Sequence, residues 1–256
     1  MGNIGLQLFS IWLEAKRDFI SAVKQAADLG YEGVQFAGFL QTPAKELKKV
    51  LAEEKLKNAG AHISIEQLLG DQLEKTLEYN ETIGNYLLIC PALPREMRQS
   101  ADDYKRSAEI LNQIGETCKK AGFTFAYHNH DFEFEKYGVQ TGFDILFEQT
   151  DPKLVKIELD CYWAAFAGYD PLELINQYKD RIISLHIKDM KFVGNQKKGT
   201  TIGDGIIEFQ TIIQSGIKIG VQWFIVEQEE FETTLFEELK LNRERLHCMI
   251  SETKAE

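Results

Sequence analysis

Residues 154–191 read LVKIELDCYWAAFAGYDPLELINQYKDRIISLHIKDMK. The run LVKIELDCYW is apolar and ends in aromatic residues, and IISLHIKDMK is a second such run; both have the make-up of buried strands. Between them, DPLELINQYKD carries apolar residues at helical spacing. Two strands joined through a helix lie parallel in one sheet, because a parallel pair cannot be closed by a tight turn. Each run also closes on ionisable groups, Asp160 in the first and His186 with Lys188 in the second.

The same unit repeats in both directions along the chain. Upstream, the strand candidates are IGLQLFS (Ile4–Ser10), YEGVQFAGF, AHISIEQLL, NYLLICPALP and FTFAYHNHDF. The intervening helices are AKRDFISAVKQAADLG, PAKELKKVLAEEKLKNAG, QLEKTLEYNETIG and ADDYKRSAEILNQIGETCKKAG, with GFDILFEQTD after the fifth strand. Downstream, EFQTIIQSG leads into VQWFIVEQEEF, and LFEELKLNRERLHCMISE closes the chain. Eight strand–helix units in 256 residues predict an α/β fold of the (β/α)8 barrel type, a single domain over 1–256. An open doubly wound sheet would want a glycine-rich turn after the first strand, and LQLFSIWLE has no glycine there.

Bulk properties narrow the function classes. A formal net charge of −11 opposes a nucleic-acid or anionic-membrane surface, since phosphate binding needs clustered Lys and Arg. The longest basic run, Gln196-Lys197-Lys198, reads as a solvated loop. No apolar stretch approaches bilayer length, no secretory leader is visible, and MGNIGL lacks the Ser or Thr of a myristoylation start. Cys90, Cys118, Cys161 and Cys248 lie far apart without a CxxC pair and read as thiols. A cytoplasmic location is expected, with a homo-oligomer possible.

In such a barrel, chemistry belongs at the C-terminal ends of the strands. Strand three carries His62 and Glu66 there, strand five His128 and His130, strand six Asp160, strand seven His186 and Lys188, strand eight Glu227 and Glu229. Alternation puts His128 and His130 on one side of their strand, and Glu227 and Glu229 on one side of theirs. Each residue also has a plain structural reading. Asp160 can cap a helix over YWAAF, Glu229 and Glu230 can be solvated acids, and His247 sits on the last helix, structural or exposed. Together, however, an Asp, a His and a Glu closing successive runs form an O- and N-rich donor set of the kind that takes Mn, Co, Zn or Mg.

The segments GYEGVQFAGF, YHNHDFEF, IELDCYW, LHIKDMK, IGDGIIEF and FIVEQEE resemble the xylose-isomerase-like superfamily of sugar-phosphate isomerases and epimerases over nearly the whole chain. The resemblance implies a TIM barrel with one divalent metal, manganese preferred, held by a Glu on strand five, an Asp on six, a His on seven and a Glu on eight. Asp160, His186 and Glu227 fill the last three slots. Ala126 stands in the first, so Glu133 folding back over the mouth, or His128, is expected to supply the missing ligand. Gln35 stands where relatives often carry Glu. YHNHDFEF looks closer to the inosose dehydratase branch.

The activity implied is isomerisation or epimerisation of a keto-sugar or polyol ketone through a metal-stabilised enediolate. His128 or His130 would act as base, Glu227 would serve the chemistry as well as the metal, and Lys188 would either steady an oxyanion or pair with an inner acid. Trp163, His62 and Glu133 are the expected substrate-binding residues, with Tyr162 beside Trp163. The same enediolate can lose a β-substituent, which gives a dehydratase or lyase of the inosose or 3-keto-glycoside type. A non-catalytic sugar-binding barrel is a further alternative. An apurinic endonuclease, which would need more ligands and a basic face, is disfavoured by five histidines and the acidic balance.

Overall fold

The computed structural model describes residues 2–255. Eight strands, β1 (Asn3–Gln7), β2 (Gly33–Ala37), β3 (Lys57–His62), β4 (Leu87–Cys90), β5 (Thr124–His128), β6 (Lys156–Asp160), β7 (Ile182–Ile187) and β8 (Trp223–Val226), form a closed barrel. Every neighbouring pair is parallel, and β1 seals the ring by pairing with both β2 and β8. Helices alternate with the strands, as in a (β/α)8 barrel with a single domain. The main core lies between strands and helices, where outward side chains such as Phe125 and Tyr127 of β5 are buried. A small inner cluster of Ala59, Trp223 and Ile225 plugs the barrel toward the strand starts. Among the described residues no helix is long and apolar enough to cross a membrane.

β3 departs from the sequence reading. Periodicity predicts helix through AEEKLKNAG and strand over AHISIEQLL; instead the helix stops at Glu53 and the strand starts at Lys57. Lys55, in the left-handed region at φ 56°, turns the chain between them. KNAGAH lacks β-branched residues because the barrel leaves no room for them: a Cβ on Gly60 would sit 2.8 Å from Ile89 Cδ1. Gly60 has φ 112° and lies in a bulge, where the register with β2 shifts. The extra residue puts His62, rather than Ala61, on the inner face that Ala59 shares. Glu66 falls in the following 3-10 turn and is exposed.

β7 leads not into a simple loop but into a two-stranded antiparallel ribbon, Asp189–Val193 with Gln196–Thr200, so the basic run read as a loop is one arm of it. Asp189 is fully buried and accepts backbone N–H groups from Met190, Gly203, Gly205 and Ile207. One carboxylate thereby folds the IGDGIIEF segment back onto the end of β7.

Candidate active site

Inward side chains at the ends of β5 to β8 meet beneath the mouth. Asp160 and His186 are paired in register, His186 with Ile225, and His128 with Glu158. Glu227 follows β8 by one residue and shares the inner face of Ile225. Ligand atoms of His128, Asp160, His186 and Glu227 all lie within 4.8 Å of one another, and the four residues are buried. His186 Nδ1 is 2.8 Å from Glu227 Oε2; Asp160 Oδ2 is 3.9 Å from His186 Nδ1 and 3.9 Å from His128 Nε2.

Asp160 shows that these residues fit a cation. Its Oδ1 accepts Trp163 N–H at 2.8 Å and caps the helix Cys161–Phe166, so the helix-cap reading of this residue is also present. Its Oδ2 is buried without a partner. An orphaned carboxylate oxygen beside a second carboxylate and two imidazole nitrogens is a costly arrangement unless a positive ion completes it. Burial pushes Asp160 up to about 7 against the pull of His186 and the Trp163 N–H. His128 is pushed the other way, down to about 3, by burial and the His186 charge, so its ring is neutral and offers a lone pair. For His186 burial works downward, but Glu158 and Glu227 outweigh it and hold the imidazolium well above the ordinary range. A metal must displace that proton to bind there.

A second buried group, His62, His128, Glu158 and His186, shares two histidines with the first. Glu158 is fully buried on β6, two residues before Asp160 and on the same inner face. Burial would raise it, yet the His186 charge and hydrogen bonds from His128, His186 and His62 hold it well below the carboxylate range. Glu158 is not among the residues expected from sequence; the sign available for it is an acid in the middle of the apolar run KIELD, in phase with Asp160.

Glu133 does not fold over the mouth. It is fully buried behind the β5 loop, where Tyr127 Oη and the His130 N–H (2.7 Å) donate to its two oxygens, and it joins neither group. Tyr127 points outward from β5, so Glu133 faces the helix side, away from the ligand set and the cavity; the expected roles as ligand and substrate contact are corrected accordingly. His128 occupies the place open to a strand-five ligand.

Above the ligand set lies a cavity of about 310 Å³. Its wall includes Phe9, Trp12, His62, His130, Trp163 and Glu229, with His128 and Glu227 reaching it from the ligand set. His130 sits between Phe132 (5.2 Å, stacked) and Trp163 (5.6 Å), and its Nδ1 is buried without a partner. Burial lowers it to about 4, so the ring is neutral. Lys188 is buried, paired with Glu229, and lies 4.3 Å from the Tyr162 ring centroid and 5.3 Å from that of Trp163. The ion-pair reading of Lys188 is present, with Glu229 as the acid. His247 is exposed.

A family model described as xylose isomerase-like TIM barrel matches residues 23–249. An inosose dehydratase of Geobacillus thermodenitrificans is 26% identical over 250 residues, covering 83% of this chain and 82% of that protein. Another, from Lacticaseibacillus casei, is 33% identical over 147 residues, 50% of this chain and 48% of that protein, so the match spans about half the length of that relative. A sugar phosphate isomerase/epimerase from Parabacteroides distasonis is 26% identical and superposes with a TM-score of 0.79 over 99% of this chain and 96% of that one.

Proposed function

The chain belongs to the xylose isomerase-like TIM-barrel family, and from that premise we propose that it is a metal-dependent isomerase or epimerase of an uncharged keto-sugar or polyol ketone. The observation that carries this reading is the buried ligand set opening onto a cavity beside a neutral, unpartnered imidazole. His128, Asp160, His186 and Glu227 would hold one divalent ion, manganese by preference, which when bound supplies Lewis acidity toward a ketone oxygen.

The chain's own groups do the rest. The neutral His130 ring, which forms part of the cavity wall, takes the proton from the carbon beside the ketone. Trp163 and Trp12 offer apolar faces against which a sugar ring is oriented, and Phe9 shields the mouth from water. Glu227 and Glu229 line the wall, and Glu229 also neutralises Lys188, a balance that repels a phosphate group. One imidazole on one side favours return of the proton along the same face, to the neighbouring carbon.

A second reading, dehydration, is favoured by the relatives named inosose dehydratase. It shares the first proton removal and then expels a β-hydroxyl. Incubation of keto-sugars and inositol ketones with the protein and manganese in heavy water tests both. Deuterium in recovered or isomerised sugar supports the first reading, and a product lighter by one water the second. Asp160→Asn and Glu227→Gln should abolish both signals. Normal exchange by those variants, or none by wild type with any candidate, would defeat the proposal.

A further inference from the structure

We propose that Glu158 is a positioning residue for the candidate metal centre: together with Gln35 it sets which nitrogen of His62, His128 and His186 carries a proton, and hence which is left to ligate or to face the cavity. The inference rests on the metal-dependent reading above.

The accounting is by donors and lone pairs. A carboxylate only accepts, and its two oxygens offer about four lone-pair sites. Glu158 receives five partners: His62 Nε2 at 2.6 Å, His186 Nε2 at 3.0 Å and His128 Nδ1 at 3.2 Å on Oε1, and Gln35 Nε2 at 2.6 Å and Ser184 Oγ at 2.7 Å on Oε2. Each imidazole nitrogen facing it must therefore carry hydrogen. That leaves His128 Nε2 as a lone pair facing Asp160, while the His62 ring, held through Nε2, lines the cavity.

Gln35 extends the same logic to His186. Its Oε1 accepts Gln7 Nε2 at 2.7 Å and His186 Nε2 at 2.8 Å, while its Nε2 donates to Glu158. Only an amide can do both; a glutamate at position 35 would set two carboxylates against each other. With its Nε2 engaged, His186 turns Nδ1 toward Glu227 and Asp160. Glu158 has no lone pair to spare for a metal and is closed off from the cavity, whereas Asp160 Oδ2 is unpartnered; the ion therefore belongs with Asp160, and Glu158 supports it from behind.

Zinc affinity, measured by competition with a chromogenic chelator, tests this in the isosteric variant Glu158→Gln. One zinc per chain should remain, bound roughly 10- to 100-fold more weakly, while Asp160→Asn loses it. Loss of zinc in Glu158→Gln with retention in Asp160→Asn would overturn the proposal, and so would unchanged affinity in Glu158→Gln. Long-range proton–nitrogen spectra of metal-free wild type need no variant to fold: His128 should carry its proton on Nδ1 and His62 on Nε2. The opposite tautomer at His128 would refute the proposal. If wild type binds no zinc, the functional reading fails, while the spectra still decide the role of Glu158.

Discussion

The two oxygens of Asp160 are used differently, one closing a helix and the other facing two imidazoles and a carboxylate without a partner. Asparagine is also a good helix cap, so Asp160→Asn should keep its circular dichroism spectrum and lose bound metal, read by elemental analysis. His130→Asn should retain metal but slow deuterium exchange into substrate by about 10²- to 10⁴-fold. Glu133 makes a separate prediction. Burial pushes it up to about 7 from 4.5, against hydrogen bonds from Tyr127 and the His130 N–H. A folded-state value above the unfolded one means that its stabilising contribution, complete below pH 4.5, is lost as pH rises through 7. Relative to Glu133→Gln, wild type should therefore lose about 3 kcal/mol between pH 4.5 and pH 8, measured by urea unfolding of both proteins across that range. At this scale Asp160, His186 and Glu227 were readable as strand-end groups, because alternation and the barrel mouth predict where such groups point. The destination of Glu133 was not, because it depends on how a short turn tucks its side chain behind Tyr127.

Strand identity was legible where apolar runs are long and illegible where the barrel itself forces small residues. β6 and β7 announce themselves in KIELD and IISLHI, but β3 hides inside a helix-like run because Gly60 and its neighbours must pass close to Ile89. The bulge at Gly60, which turns His62 inward, leaves no mark in periodicity. The ribbon after β7 was equally invisible, since its anchor is a single buried acid gathering four backbone donors. Gly205 lets that anchor work: a Cβ there would run into Asp189 Oδ1. Gly205→Ala should therefore destabilise the protein by about 1–3 kcal/mol, seen as a lower Tm, with loosened amide protection over residues 202–207 by hydrogen exchange.

For the whole molecule, eight strand–helix units together with the lack of a glycine-rich turn after the first strand predict the closed parallel barrel, since an open doubly wound sheet, the other way to bury both strand faces, would want that turn. The barrel then assembles a site from residues distant in sequence, so a metal bound there would be linked to global stability. Zinc at 100 times its Kd should raise the unfolding free energy of wild type by about 2.7 kcal/mol and leave Asp160→Asn unmoved, as calorimetry would register. The most direct test of the central claim is X-ray diffraction from manganese-soaked crystals at the metal's absorption edge. The account predicts one anomalous peak bounded by His128 Nε2, Asp160 Oδ2, His186 Nδ1 and Glu227. A peak against Glu158 with Asp160 left aside, or no peak among these residues, would contradict it.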